Sequence, residues 1–173
     1  MSQAQQELYE RAIRDVGALL DRLPRGYEAD PEKRRDLCQE IHFQIWRSLA
    51  AFDGRCALST WVFRVAHNAA TSYVTRERRG RQPWVSLEEV ELATSANLDA
   101  DLDRGRQIDE LSALIRELKP LDRQIILGYL EDLDAREIAE ITGLSPAAVA
   151  MKIHRIKRLL EKWHAKGDAR HGG

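Results

Sequence analysis

The sequence predicts an all-α protein made of two small helical domains joined by a flexible acidic linker. Apolar residues recur at steps of three and four through almost all of the 173 residues, as they do on the buried faces of helices. Runs that alternate apolar and polar residues, which indicate strands, do not occur in the sequence. Charge marks the division, because six acids and no Lys or Arg lie between Trp84 and Asp103. We therefore expect domains at residues 1–79 and 107–166, a linker at 80–106 and a tail at 167–173.

Three helices are predicted in the first domain. The first ends before Pro24, and the second runs from about residue 32 to residue 50. The third begins near Ser59, a residue type favoured at N-caps, and reaches about Arg79. Their apolar stripes are Leu8, Ala12, Val16, Leu19 and Leu23; Leu37, Ile41, Ile45 and Leu49; and Val62, Val65, Ala66, Ala69 and Tyr73. Each stripe has helical spacing, so the three helices can share one core.

The second domain is predicted to end in a helix-turn-helix. Two helices that meet at Pro120 come first, and a short helix then precedes Gly143, which can adopt a positive φ. Ser145 and Pro146 form the start signal of a further helix. That helix has an inward stripe of Val149, Ile153, Ile156, Leu160 and Trp163. Between residues 150 and 166 it carries six Lys or Arg and one acid, so its outer face is strongly basic.

Composition excludes several classes of protein. The 27 Lys and Arg nearly balance the 28 Asp and Glu, but the segregation of these charges leaves basic stretches that can meet nucleic acid. No apolar run approaches the roughly 18 residues of a membrane helix, and the N-terminus does not resemble a secretory signal. We therefore expect a cytoplasmic address without membrane insertion. The five histidines are scattered and no catalytic or phosphate-binding motif is present, which predicts neither an enzyme nor a cofactor.

The two cysteines are too few for a disulfide scaffold. Cys38 and His42 lie four residues apart, and with Cys56 and His67 they could be imagined as four zinc ligands. No CxxC or HxxxH spacing supports such a site, so no metal is predicted. Buried thiols are the simpler interpretation, and a response of the two thiols to redox stress is the alternative.

The helix-turn-helix is the strongest local signal for function. In this geometry the second helix enters the major groove, where its first two turns reach base edges and flanking cations meet phosphates. The candidate DNA contacts are Ser145, Ala147, Ala148, Met151, Lys152, His154, Arg155 and Arg158. A helical hairpin with a merely solvated basic face is the alternative.

The third helix of the first domain has an outer face rich in hydrogen-bond donors. This face carries Trp61, Arg64, Asn68, Ser72 and Thr75, and the basic run from Arg76 to Arg81 follows it. An aromatic ring beside donors and cations suits unpaired bases, which bind by stacking and through their backbone. An ordinary solvated surface is the alternative for this helix taken alone.

Two stretches carry a resemblance to a known family. Asp36-Leu37-Cys38-Gln39-Glu40, then Trp46-Arg47 and the stretch from Phe52 to Asn68, resemble region 2 of a bacterial RNA polymerase sigma factor. Residues 108–163, with Leu118-Lys119-Pro120-Leu121-Asp122-Arg123 and the helix-turn-helix, resemble region 4 of that family. The order of the two regions and the absence of an intermediate domain are similar to the extracytoplasmic-function (ECF) type.

The resemblance implies two partners for region 2. The second helix would dock on the β′ clamp helices of RNA polymerase core through Asp36, Gln39, Glu40, Phe43 and Arg47. The loop before the third helix would capture a flipped base of the minus-ten element, and the helix itself would hold neighbouring bases and phosphates. The implied minus-ten contacts are Phe52, Asp53, Arg55, Ser59, Trp61, Arg64, Asn68, Ser72, Arg76 and Arg79.

For region 4, the resemblance implies reading of the minus-thirty-five element and contact with the polymerase β flap. Because the first two turns of the last helix are largely apolar here, thymine methyls and DNA shape would contribute more than base hydrogen bonds. The acidic linker would thread polymerase channels, although a solubilising tether explains its charge equally well. An anti-sigma partner is also implied.

Two other classes of function stay open at this point. A one-component regulator would join a helical sensor domain to the helix-turn-helix and bind duplex DNA by itself. An adaptor would use its helices only to bind other proteins. The cationic third helix favours the sigma factor, because a sensor domain does not need it.

Overall fold

A computed structural model describes residues 3–78, 83–96 and 104–168 of the chain. Within these ranges the chain forms helices and contains no strand. The helices are α1 (Gln3–Arg22), α2 (Pro31–Ser48), α3 (Leu58–Glu77), α4 (Leu87–Ala96), α5 (Arg104–Glu117), α6 (Pro120–Leu130), α7 (Ala135–Thr142) and α8 (Pro146–Asp168). The all-α prediction is confirmed, and no helix of the described part is long and apolar enough to cross a membrane.

The chain divides into two compact units. The first unit comprises Met1–Arg81 together with Glu140–Gly143, and the second comprises Gln82–Ala139 together with Leu144–Gly173. Each unit has its own buried apolar residues, so each contains its own core.

Helices α1, α2 and α3 pack together in the first unit. The stripe of α2 is buried, and Val62 and Ala66 of α3 are fully buried beside it. At the start of α2, the carboxylate of Asp30 accepts the backbone N–H of Glu32 at 2.8 Å, and Pro31 occupies the first turn. The predicted start of α3 at Ser59 is wrong, because the helix begins at Leu58 with Ala57 as its N-cap.

The second unit is built around α5, α6, α8 and the start of α7. Its core includes Leu118, Ile125, Ile126, Ile138 and Ile156, all of them 1% exposed or less. These residues lie on the predicted apolar stripes or next to them. The helix-turn-helix is formed by α7, Gly143 with a φ of +79°, and α8.

The predicted linker at 80–106 must be corrected for residues 85–96. Leu87 and Val90 of α4 are 1% and 7% exposed and belong to the core of the second unit. Ahead of α4, the N–H of Val85 donates to the carbonyl of Glu117 at 2.9 Å, and Val85 accepts from Lys119 at 2.8 Å. This segment is therefore a packed part of the second unit and not a free tether.

The signal for α4 was present in the sequence. Ser86 and Glu89 form a capping box, in which the Ser86 hydroxyl accepts the N–H of Glu89 at 3.2 Å and the Glu89 carboxylate accepts the N–H of Ser86. The acidic composition concealed it, because among residues 87–92, whose side chains are described, Leu87 and Val90 are the buried ones.

Several predicted features lie outside the described residues. These are the acids Asp99, Asp101 and Asp103 of the linker, the basic residues Arg79 and Arg81, and the end of the tail at 169–173. The side chains of Trp163 and Lys166 are also outside the described part, although α8 runs on to Asp168.

Two buried charged residues, Arg123 and Asp122, hydrogen-bond to backbone groups of the second unit. Arg123 is 1% exposed, and its guanidinium donates to the carbonyls of Ile115 at 3.1 Å, Arg116 at 2.6 Å and Leu118 at 3.0 Å. Asp122 is 3% exposed and accepts the N–H of Leu87 at 3.0 Å. Arg123 thereby satisfies carbonyls at the end of α5, and Asp122 satisfies an N–H at the start of α4.

Candidate nucleic-acid and polymerase interfaces

One side of α2 forms an exposed ridge. Asp36, Gln39, Phe43 and Arg47 are exposed and Glu40 is half-buried. The Phe43 ring is 54% exposed, and the guanidinium carbon of Arg47 lies 5.6 Å from its centroid. We call these five residues the α2 ridge. They are the residues predicted to bind polymerase, and the fold places them on one continuous surface away from the core.

The loop between α2 and α3, residues 52–57, is braced by aromatic residues. The rings of Phe52 and Trp61 meet edge to face with centroids 5.5 Å apart. The indole N–H of Trp61 donates to the hydroxyl of Ser48 at 2.9 Å. Trp61 is therefore half-buried against the loop, and two of the predicted minus-ten residues are in direct contact.

Charges within this loop pair locally. The guanidinium of Arg55 lies 2.9 Å from the carboxylate of Asp53, and that carboxylate also accepts the N–H of Arg55 at 3.1 Å. Gly54 between them has a φ of +76°, a conformation that favours glycine. The Arg55 side chain is 89% exposed, so the pair is solvated and can exchange partners readily.

Beyond the loop, α3 presents a ladder of exposed polar side chains. Arg64, Asn68, Ser72 and Arg76 are spaced by four residues, and all four are exposed. Ser59 is half-buried in the first turn. The ladder faces solvent because the opposite side of α3 carries Val62, Ala66, Ala69 and Val74 into the core. The structure thus places the described members of the predicted minus-ten set on α3 and its preceding loop.

Both helices of the helix-turn-helix begin at capped N-termini. The Asp134 carboxylate accepts the N–H of Arg136 at 2.8 Å and that of Glu137 at 2.9 Å, and the Glu137 carboxylate accepts the N–H of Asp134 at 2.8 Å. At the start of α8, the hydroxyl of Ser145 accepts the N–H of Ala148 at 3.2 Å. The predicted N-cap role of Ser145 is confirmed.

The cations of α8 are held by acids of the same unit. Lys152 Nζ lies 2.5 Å from the Asp122 carboxylate and 3.1 Å from that of Glu88. Arg155 is 3.6 Å from Glu88 and 3.8 Å from Glu91. Arg158 is 2.6 Å from Glu91. The sequence prediction assigned Lys152, Arg155 and Arg158 to DNA, whereas in this structure all three are engaged by carboxylates.

The contacts between these acids and cations shift the pKa values of Lys152 and Glu88. Burial opposes the charge of Lys152, but its hydrogen bonds to Asp122 and Glu88 outweigh that effect and raise its pKa. Burial likewise opposes the charge of Glu88, and hydrogen bonds from its backbone and from Lys152 lower its pKa overall. The contribution of Glu88 to stability is therefore present above its ordinary pKa and is lost as the pH falls through the lowered value.

A different ridge of α8 faces solvent. Ala147, Met151, His154 and Lys157 are exposed, and the Met151 side chain is 65% exposed. Lys157 lies 6.0 Å from the centroid of the Tyr129 ring. The sequence prediction did not include Lys157 on this ridge, nor the acidic partners of α8. A signal existed, because acids at 88 and 91 and bases at 152, 155 and 158 both repeat every three residues.

The four residues imagined as zinc ligands do not come together. His67 is buried, and its Nδ1 lies 2.7 Å from the hydroxyl of Tyr27. Among the described residues, the ligand atoms that gather are those of Asp21, Cys38 and His42, all within 4.8 Å of one another. Cys56 and His67 take no part in this group.

Comparison with known proteins identifies two family models that match this chain. The model of Sigma-70 region 2 matches residues 8–80, and that of Sigma-70 region 4 matches residues 108–160. The ECF RNA polymerase sigma-E factor of Haemophilus influenzae is 29% identical, over 73% of this chain and 71% of its own. RNA polymerase sigma factor YlaC of Bacillus subtilis is 27% identical, over 76% of this chain and 77% of its own.

One solved structure is similar over nearly the whole length. It contains CnrH in complex with the cytosolic domain of CnrY and covers 95% of this chain and 90% of its own, with a TM-score of 0.55. Its sequence identity is 23%, so the likeness concerns the fold.

Proposed function

Because this chain belongs to the sigma-70 family as an ECF-type RNA polymerase sigma factor, which directs transcription initiation from promoters, we propose how its two units divide that work. The first unit binds RNA polymerase core and opens the minus-ten element, and the second reads the minus-thirty-five element. The chain acts in the cytoplasm as an initiation factor and catalyses no reaction itself. The observation that carries this division is the pairing of an aromatic loop with the polar ladder of α3 in one unit and a helix-turn-helix in the other.

The α2 ridge is the docking surface for the β′ clamp helices. It combines an exposed aromatic ring with charges of both signs, which is the composition of residues that anchor protein interfaces. Leu37, Ile41 and Ile45 of the same helix are fully buried, so the ridge is displayed on a well-packed helix. A flexible loop would present the same side chains less precisely.

Replacing Phe43 by Ala should weaken core binding by about fivefold or more, since exposed aromatics act as anchors worth more than about 1 kcal/mol. The affinity can be measured by titrating labelled chain with core polymerase. Met151→Ala is the matched control, because Met151 is 65% exposed and lies on the ridge of α8 that is assigned to DNA. Equal losses for the two variants would remove the α2 ridge from the interface.

The loop and the ladder of α3 hold the melted minus-ten strand. A flipped base stacks against the Phe52–Trp61 pair, and Asn68 hydrogen-bonds a neighbouring base. Arg64 and Arg76 lie three helical turns apart at the two ends of the ladder and meet phosphates. The local ion pair of Asp53 and Arg55 can open at small cost and give Arg55 to the DNA.

Asn68→Ala should slow open-complex formation without changing core affinity. Asn68 is exposed, so the change removes hydrogen-bonding atoms without disturbing the core. Permanganate reactivity of unpaired thymines measures opening, and Gln6→Ala on α1 is the control for loss of an exposed amide. If Asn68→Ala lowered core affinity as much as it lowered opening, the assignment of Asn68 to DNA would fail.

The exposed ridge of α8 reads the minus-thirty-five element. Ala147 and Met151 offer apolar contact to thymine methyls, and His154 can hydrogen-bond a base edge. Ser145 and Lys157 at the margins of the ridge suit phosphates. Lys152 and Arg155 are reassigned from base reading to holding α8 against α4, because their carboxylate partners already occupy them. Ala148 is half-buried, and its N–H donates to the Ser145 hydroxyl, so its role is to help cap the start of α8.

The acids of α4 act as internal counterions of the DNA-binding unit. The carboxylates of Glu88 and Glu91 pair with Arg155 and Arg158, and they compete with DNA phosphates for these two arginines. Threading of the linker into polymerase channels, as in the family, would require residues 87–91 to leave the core. Residues 87–91 therefore cannot lie in the core of the second unit and in a polymerase channel at the same time. Release of α4 from the core would free Arg155 and Arg158 for DNA.

Protein partners beyond polymerase core are also part of this proposal. The similar solved structure is a complex of CnrH with the cytosolic domain of another protein, CnrY. We extend this to an anti-sigma partner for this chain, and we assign the β flap to the second unit. Such a partner would compete with core polymerase for the α2 ridge.

Run-off transcription with purified core polymerase tests the function. The chain should direct initiation from its promoter only when core is present. Tight binding to duplex DNA by the chain alone, with no core-dependent initiation, would instead identify a one-component regulator. Capture of other proteins with no binding to DNA or core would identify an adaptor.

A further inference from the structure

A cluster of ligand-type side chains lies between α1 and α2. Cys38 and His42 are one turn apart on α2, and Asp21 comes from the last turns of α1. One ligand atom of each residue lies within 4.8 Å of the other two. Cys38 and His42 are half-buried and Asp21 is exposed, so solvent reaches the cluster at Asp21.

The three side chains have the chemistry of a transition-metal site. Thiolate, imidazole and carboxylate are the ligands that Zn²⁺ takes in proteins, with bonds of about 2.0 to 2.3 Å in a tetrahedral arrangement. Ligand atoms of such a site lie roughly 3.3 to 3.8 Å apart. Because each separation is 4.8 Å or less, the ligand atoms have to approach one another by at most about 1 to 1.5 Å to bind one ion.

The histidine of the cluster is already oriented. The hydroxyl of Tyr9 lies 2.9 Å from Nδ1 of His42, and the Tyr9 ring packs edge-on to Trp46 with centroids 5.4 Å apart. Metal-bound histidines are held in this way, because a hydrogen bond at one ring nitrogen fixes the tautomer and the ring orientation. Tyr9 is therefore in place as the outer partner of His42 when the other ring nitrogen, Nε2, binds an ion.

Cys38 would bind a metal ion through its thiolate. Binding of a divalent ion forms the metal–sulfur bond and releases the thiol proton to water. The positive ion also offsets the negative charge that Asp21 places beside the sulfur.

We propose that Asp21, Cys38 and His42 bind a thiophilic divalent metal ion of the Zn²⁺ class, with one coordination position left to water. The ion ties the end of α1 to α2. Its ligands alternate along α2 with residues of the α2 ridge, since Gln39 follows Cys38 and Phe43 follows His42. Metal binding thus stabilises the helix that carries the proposed polymerase surface, but the site itself does not depend on that function.

Titration of the reduced, untagged full chain with Co²⁺ tests the site. We expect one equivalent of Co²⁺ to give thiolate-to-cobalt charge-transfer absorption with tetrahedral d–d bands, and Zn²⁺ to displace it. Cys38→Ser should abolish the charge-transfer band, whereas Cys56→Ser should keep it. Tyr9→Phe should weaken binding by about tenfold, the lower end of the usual effect for an outer-shell partner.

Thermal unfolding gives a second readout that does not depend on the optical bands. Zn²⁺ should raise the midpoint for the unaltered chain and for Cys56→Ser, and leave that of Cys38→Ser unchanged. Circular dichroism of each apo variant checks that the helices are formed. Absence of a charge-transfer band in the unaltered chain, its persistence in Cys38→Ser, or its loss in Cys56→Ser would overturn the proposal.

Discussion

Replacement of Arg123 by Met is expected to destabilise the second unit by about 3 kcal/mol or more. The methionine keeps most of the apolar stem but removes the guanidinium donors from the carbonyls of Ile115, Arg116 and Leu118, and only the Ile115 carbonyl is known to keep another donor, the N–H of Leu118 at 3.2 Å. Each buried acceptor that loses its partner costs about 1 to 3 kcal/mol. The guanidinium carbon also lies 5.7 Å from the centroid of the Trp84 ring, and that contact is lost as well.

Urea denaturation followed by circular dichroism measures this effect. Arg136→Met is the matched control, because Arg136 is exposed at the start of α7 and the same chemical change there removes no buried contact. We expect the control to change the free energy of unfolding by less than about 0.5 kcal/mol. Similar values for the two variants would show that Arg123 does not support the end of α5.

Joint replacement of Glu88 and Glu91 by Gln is expected to tighten binding of the free chain to duplex DNA by about tenfold at low salt. The change removes two negative charges beside α8 and frees Arg155 and Arg158 for phosphates. Two added phosphate contacts should also steepen the dependence of log affinity on log salt by about 2. Filter binding over a range of salt concentrations measures both quantities.

The control for this pair of substitutions is Asp109→Asn with Glu110→Gln. Both residues are exposed on α5, so their replacement removes the same charge without releasing a cation of α8. We expect it to change affinity much less. Weaker DNA binding by the Glu88 and Glu91 variant would instead show that these acids serve mainly to position α8.

Local signals explain why most of the fold could be predicted from the sequence. The apolar stripes of α2 and α8 persist over several turns, and Gly143, Ser145 and Pro146 mark the turn between α7 and α8 by their own conformational preferences. Such information lies within a few residues along the chain. The all-α class and the helix-turn-helix needed nothing else.

Contacts between residues that are distant in sequence could not be predicted. The basic character of α8 predicts that Lys152 meets DNA, but its partner Glu88 lies 64 residues away, and only packing brings the two together. The same holds for the cluster of Asp21 with Cys38 and His42, which needs α1 to lie against α2. Residue type and spacing identified the candidate surfaces, and the tertiary structure decided which side chains each surface exposes.

The contact between Phe52 and Trp61 also provides an optical probe of promoter opening. The emission of an indole depends on the solvent and on the rings that surround it, and Trp61 now has the edge of Phe52 on one side and a hydroxyl on its N–H. A base that stacks in the loop must part the two rings or cover them. In a variant whose other three tryptophans are replaced by phenylalanine, the emission of Trp61 could therefore follow strand capture in real time without an attached dye.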